Sequence, residues 1–228
     1  MRGSIVIRVI PGTPAATAVE AVGGRIIQAV PAAYFPSAHP EVQAWAEDQL
    51  VRSSNDVCLE AGDRYSLDDL LDMWMAAYVR MHEDWAPTGD VEATRQAFAG
   101  RFAHDLDLHR SSISLIEGRP TAAVFTIGPL DGILMPVLIE IDPRHPGREL
   151  AARAAIATML VRAAPTPVEF DGHADEPTYM RILQDIPQRS NGKLTPMNLV
   201  EISEQDARPA TGPGSPSPGT GGRCSPGG

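Results

Sequence analysis

The chain has 228 residues, enough for one full domain with additional segments. Hydrophobic residues make up 43% and the formal net charge is −10. That balance supports a real core and excludes a nucleic-acid binder held by phosphate contacts, which needs a basic face. No apolar run approaches the roughly 20 residues that span a bilayer, and the negative charge would repel an anionic membrane. A cytoplasmic protein with no nucleic-acid or membrane partner is expected.

The first 54 residues are read as an N-terminal extension whose structure the sequence leaves open, either a small lobe or a segment packed on the main domain. Residues 5–10 and 25–30 read as strands, the first stopped by Pro11-Gly12 and the second preceded by Gly23-Gly24. Residues 40–50 read as a short helix with Val42, Trp45 and Leu50 turned inward.

Residues 55–203 form the patterned part. A short strand over 56–59 contains Cys58, read as a small buried hydrophobe because the only other cysteine, Cys224, falls in the tail. Ser66 with Asp69 three residues on makes a capping box. Leu67, Leu70, Leu71, Trp74, Tyr78 and Met81 follow at helical spacing as one buried stripe. After a polar loop over 82–89, Asp90 caps a second helix with Val91, Thr94, Phe98 and Phe102 on its face. The period then changes to two. Residues 112–116 and 121–127 make a hairpin around Glu117-Gly118. Residues 133–141 are a longer strand interrupted by Pro136, a sign of an edge, a bulge or a place where pairing stops. A helix over 148–162, with Leu150, Ala151, Ala154, Ala155, Thr158 and Val161 inward, ends at Pro165 and Pro167. A strand over 168–170, a helix over 177–186 opened by Pro177 and a strand over 198–202 complete the pattern. Residues 204–228, rich in Gly, Pro and Ser, cannot bury enough apolar surface to offset their ordering entropy and read as a disordered tail. The order β-α-α-β-β-β-α-β-α-β implies an α/β fold, an α+β mixed sheet covered by helices on both faces.

This order, with the stretch Leu138-Ile139-Glu140-Ile141-Asp142-Pro143-Arg144-His145-Pro146-Gly147-Arg148-Glu149-Leu150-Ala151, resembles the GNAT superfamily of acyl-CoA-dependent N-acyltransferases over roughly residues 56–202. In that family a strand runs into Asp-Pro and a turn, Arg-Gly-x-Gly-x-Gly or Ala, that opens a helix. The first amides of a helix lack internal partners and, helped by the helix dipole, can bind a pyrophosphate. The resemblance therefore implies a cosubstrate, acetyl-CoA or another acyl-CoA, with its pyrophosphate on Gly147, Arg148, Glu149, Leu150 and Ala151 and its pantetheine arm along Ile139, Glu140 and Ile141. Three positions depart from the family pattern. Pro146 replaces the usual arginine, Glu149 puts a carboxylate where a glycine is usual, and Leu183 stands where many relatives carry a tyrosine that protonates the leaving thiolate. Tyr179, one turn earlier, is the candidate substitute.

The resemblance also implies an activity, acyl transfer to a primary amine of a small molecule or a protein. Glu140, on the strand facing the thioester, is the candidate base, against a solvated residue on the polar face of a strand. His82, Glu83, Asp84 and Trp85 lie in the loop that helps form the acceptor site in relatives, and an acidic loop with an aromatic suits a cationic amine. The plainer reading is a solvated helix end with Trp85 packed down. His104, Asp105, Asp107 and His109 match no strong metal signature, so no metal is expected and helix-closing polar residues are the reading. Asp171, His173 and Asp175 read as cap and turn residues that could reach the cleft. No nucleophile elbow, phosphate-binding Lys loop or dinucleotide glycine pattern supports a hydrolase, nucleotide triphosphatase or dehydrogenase. Two other readings stand beside the transferase: a catalytically degenerate binding or regulatory module of the same fold, and an interaction protein whose N-terminal segment completes a homodimer sheet.

Overall fold

The computed structural model describes residues 4–83, 87–187 and 196–203. In chain order the elements are β1 (Ser4–Val9), α1 (Pro14–Ala21), β2 (Arg25–Val30), β3 (Ala33–Phe35), α2 (Pro40–Ser53), β4 (Cys58–Ala61), α3 (Leu67–Met81), α4 (Val91–Asp105), β5 (Ser112–Ile116), β6 (Arg119–Leu130), β7 (Ile133–Glu140), α5 (Arg148–Ala163), β8 (Val168–Phe170), α6 (Pro177–Asp185) and β9 (Met197–Ser203). One 3-10 turn over Gly62–Arg64 joins β4 to α3.

Six strands form the main sheet in the order β3-β8-β7-β6-β5-β4, and three form a second sheet in the order β1-β9-β2. β4 to β7 are antiparallel neighbours, and β7 meets β8 in parallel. The sheet is mixed, as the element order implies. Alternation along β6 and β7 sends their side chains to opposite faces. Ala122, Val124 and Leu138 face α5 and α2, whereas Ala123, Phe125 and Ile139 face α3 and α4. Helices therefore cover both faces. Ser66 and Asp69 form the capping box, and Asp90 caps α4 through the amide of Ala93.

The N-terminal residues are woven into the same body. β3 pairs with β8, β9 lies between β1 and β2, and α2 packs on α5. Neither α1 nor β3 is in the sequence reading. Thr13 caps α1 by accepting from the Ala16 amide, with Pro14 at the first turn. β3 is only three residues long, too short for alternation to show. The N-terminal cover also explains a difference at α5. Ala151, Ala152 and every residue from Ala154 to Leu160 are buried, because α2 closes the side away from the sheet, and Val161 is the exposed one.

Cys58 is exposed, against its reading as a buried hydrophobe, because β4 is the outermost strand of its sheet and Val57 takes the inward place. Leu67 and Val91, given to the buried stripes, sit in the first turns of their helices and are exposed. The expected tail, and Asp84 and Trp85 of the loop after α3, lie outside the described residues.

Candidate functional site

β7 and β8 pair for a few residues and then part. Leu134 N–H donates to Pro167 at 2.9 Å and Asp171 N–H donates to Pro136 at 3.0 Å. Past the bridge between Val137 and Asp171, β7 runs on to Glu140, while the other chain turns away at Gly172, whose φ is +119°. A side chain there would be strained by that φ, and its Cβ would lie 3.2 Å from the Tyr179 ring. Pro136 sits in an interior strand, at the last paired stretch before the parting. Its carbonyl, which proline retains, takes the Asp171 amide.

Tyr179, from the first turn of α6, fills the notch of this splay. Its hydroxyl donates to the Asp171 carbonyl at 2.7 Å and accepts from the Leu138 amide. The ring is 3% exposed, and burial, with the nearby Asp171 charge, raises its pKa well above the usual phenol value.

Two cavities flank the splay. The larger, about 200 Å³, lies between α3, α4, β7, the 171–173 turn and the three-stranded sheet. The spacing of α3 builds its wall. Trp74, Tyr78 and His82 are each four residues apart and stack in sequence, with ring centroids 6.4 and 3.9 Å apart. Phe98 and Phe102 of α4, also four apart, meet Trp74 edge-on at 5.3 and 5.4 Å. The smaller cavity, about 90 Å³, is lined by Arg80, Leu138, Glu140, Pro143, Glu176 and Tyr179. Met81 and His173 line both.

The segment bearing His173 is held from several sides. Gln28 donates to the Gly172 carbonyl at 2.7 Å, Ala174 N–H donates to Ala29 at 2.8 Å, and Tyr179 holds the Asp171 carbonyl. His173 is 6% exposed and lies with its ring centroid 4.9 Å from that of His82. Burial, then the neighbouring His82, lowers its pKa, against the pull of Asp175 and Asp171.

Glu140 closes β7 with its side chain 15% exposed. Burial is the main cause that raises its pKa, followed by the charge of Glu176. Arg148, Arg80 and a hydrogen bond from Thr178 oppose the shift. Its Oε1 is buried with no hydrogen bond among the described residues, and Arg148 Nε lies 3.9 Å away. The main-chain carbonyl of Glu140 accepts from Arg80.

At the turn before α5, Asp142 Oδ1 takes the Arg144 amide, and the Gly147 amide donates to His145 Nδ1 at 3.0 Å. Arg148 N–H goes to the His145 carbonyl, and Ala151 N–H to Gly147. The amides of Glu149 and Leu150 have no acceptor among the described residues. Two of the five expected phosphate-binding amides are therefore open. A Cβ at Gly147 would come within 2.8 Å of Ile116 Cδ1, the mobile end of that side chain, so a larger residue here would push the Ile116 tip aside. The Glu149 carboxylate turns away along the helix. It accepts from Arg153 at 3.1 and 3.0 Å and from Arg181 at 2.9 Å.

Glu140 and Tyr179 share the smaller chamber, and His82 lines the larger one, whereas Glu83 is exposed. Ile139 is buried in the core against α3, Ala151 is buried under α2, and Ile141 donates its amide to Thr121. An arm lying along β7 would meet the Arg80 contact at Glu140 and the Tyr179 contact at Leu138. The sequence reading missed Trp74, Tyr78, Phe98 and Phe102 as cavity wall, since wall and core share one helical period. It favoured a turn role for His173, where the Asp-Gly-His run after a short strand was the available signal.

No family model matches the chain, and no curated protein matches it by sequence. Among solved structures it is similar to a GCN5-related N-acetyltransferase from Sphaerobacter thermophilus, with TM-score 0.53 and 12% identity over 89% of this chain. It spans 60% of that protein's length. It is also similar to a functionally unknown conserved protein from Staphylococcus epidermidis, with TM-score 0.50 and 13% identity, covering 88% of this chain and 71% of the other. The fold is that of the GNAT superfamily.

Proposed function

We propose that this chain, which has the GNAT fold, is an N-acyltransferase that moves an acyl group from an acyl-CoA to an amine. The observation that carries the reading is the splay of β7 from β8, with one chamber on each side of Met81 and His173 and a largely buried carboxylate, Glu140, in one of them. A fold neighbour described as an N-acetyltransferase supports the same chemistry. In the proposed step the amine nitrogen attacks the thioester carbonyl carbon. A C–N bond forms, the C–S bond breaks, and the proton lost from nitrogen passes to Glu140, directly or through water. A carboxylate with a raised pKa is a better base than an exposed one. Thiols are acidic enough (about 8.5 for a cysteine side chain) that the leaving sulfur can depart as thiolate and take its proton from water. Tyr179, whose hydrogen is held by the Asp171 carbonyl, is then a positioning residue that holds the two strands apart.

At the start of α5, the amides of Glu149 and Leu150 and the side chain of Arg148 are the groups that would meet the pyrophosphate. The second reading, a degenerate binding module, is favoured by one observation: the β7 edge where an arm would pair is engaged by Arg80 and Tyr179. Isothermal titration calorimetry with acetyl-CoA separates the two. Saturable heat, with acyl transfer to an amine, supports the transferase. An absence of heat at millimolar acetyl-CoA leaves only the binding module.

A further inference from the structure

The larger cavity has two unlike ends. The α3–α4 end is built from the rings of Trp74, Tyr78, Phe98 and Phe102. The opposite end, at the 171–173 turn, carries the His173 imidazole and the Gln28 amide, and His173 also borders the chamber that holds Glu140. Charge does not select the occupant's body. Asp171, the carboxylate among the described lining residues, already accepts from Arg8 at 3.4 Å and from its neighbouring Gly172 amide at 2.9 Å. Arg101 adds an opposing cation to the same lining. Size does select. A dry cavity of about 150 Å³ accommodates benzene, so about 200 Å³ has room for one ring and a short arm.

We infer that this cavity binds the acceptor as an amine carried by a short arm on a single aromatic ring, with the ring among Trp74, Phe98 and Phe102 and the nitrogen at His173. The assignment rests on the transferase reading for the word acceptor, but not for the ligand itself. Edge and face contacts among flat rings reward a flat ligand by about two- to tenfold in affinity beyond its buried area. The tethered turn keeps His173 where the nitrogen passes from the larger chamber to the smaller. Burial, which lowers the His173 pKa, keeps the imidazole from adding a second positive charge beside the amine.

The test is a titration of the full chain, labelled with nitrogen-15, by 2-phenylethylamine with no acyl donor present. Amide shifts are expected at Phe98, Phe102, Ile127, Gly172 and His173. Propylamine, which lacks the ring, is expected to bind at least about tenfold more weakly, and 3-phenylpropanoate, which brings only acceptors where the amine brings donors, is expected to bind more weakly too. Phe98→Ala should weaken the ring amine about fivefold or more. Shifts clustered elsewhere, equal binding of propylamine, or stronger binding of 3-phenylpropanoate would each overturn the inference without recourse to the variant. If the ring amine binds here and acetyl-CoA gives no heat, the ligand assignment stands and the transferase reading falls. If acetyl-CoA binds and the ring amine does not, the reverse holds.

Discussion

Replacing Glu149 by Gln separates its role in stability from its role at the phosphate turn. The carboxylate sits in the first turn of α5, paired with Arg153 four residues on and with Arg181 of α6, and its side chain is 37% exposed. Half-exposed pairs of this kind contribute about 0.3–0.5 kcal/mol each, and an acid in the first helical turn about 0.3–1 kcal/mol. The variant is therefore expected to lose about 1–2 kcal/mol, a fall of about 2–8 °C in melting temperature for a chain of this size. Its effect on acyl-CoA should have the opposite sign. The substitution removes one negative charge beside the open amides of Glu149 and Leu150 and loosens Arg181, while Arg153 keeps its bond to Asp185. One unit charge at about 4 Å through water is worth about 1 kcal/mol, so affinity should rise about fivefold at low salt. At about 1 M salt the screening length falls to about 3 Å and the gain should vanish. Calorimetry with CoA at the two salt concentrations, alongside thermal melts, reads both effects. An affinity unchanged or reduced at low salt, with the expected fall in melting temperature, would refute placement of the pyrophosphate at this helix start.

Tyr179→Phe would leave the Asp171 carbonyl and the Leu138 amide without a partner in a buried notch, at a cost of about 1–3 kcal/mol. Its melting temperature should drop while turnover of the folded fraction stays within about twofold. An unchanged melting temperature with a rate loss of about 10²-fold or more would instead make Tyr179 the acid. Glu140→Gln should raise the melting temperature near pH 8 and leave it unchanged near pH 4. Because the folded pKa lies above 4.5, the contribution of the carboxyl is present below that value and lost as pH rises through the folded one. A lower melting temperature near pH 8 would mean the carboxylate is well partnered, and the same variant should lose about 10²–10⁴ in transfer rate. His173 has its folded pKa below 6.5, so the unfolded chain binds more protons in that window. Stability should therefore fall as pH drops through 6.5 and on to the folded value. In His173→Asn the difference between melts near pH 8 and near pH 5 should shrink, and an undiminished difference would place the acid sensitivity elsewhere.

The sheet was legible because its signals are local. Alternation through 112–141, the Glu117-Gly118 turn and the Ser66 and Asp90 caps each specify structure within a few residues. The N-terminal contribution is not local. β3 joins β8 across 33 to 170, and β9 enters between β1 and β2. The three-residue pairing of β3 with β8 leaves no period to detect, and no local window shows which partners β9 takes. The all-round burial of α5 was hidden for a related reason. Its alanines read as a weak stripe, and only the arrival of α2 shows that small side chains on both sides let two layers approach.

The site divides along the same line. The turn before α5 is a contiguous stretch, so Gly147, Glu149 and Ala151 could be singled out from sequence, although the physics at two of them differs from the expectation. Gly147 packs against the tip of Ile116, and Glu149 is held by Arg153 and Arg181 rather than facing the phosphate position. The acceptor end draws on α3, α4, β7, the turn after β8 and the second sheet, and no window of sequence contains it. Its rings obey the period of a buried stripe because they are one. Trp74 and Phe102 pack on Phe125 of the sheet with one part of their surface and line the cavity with another. A hydrophobic pattern records that a side chain leaves water, not whether it meets protein or ligand. His173 breaks that degeneracy. A buried imidazole with its pKa held down, on a turn tied to two sheets, costs more than a cap at a loop requires. That cost makes the junction between the two chambers the place where a rate measurement says most about this chain.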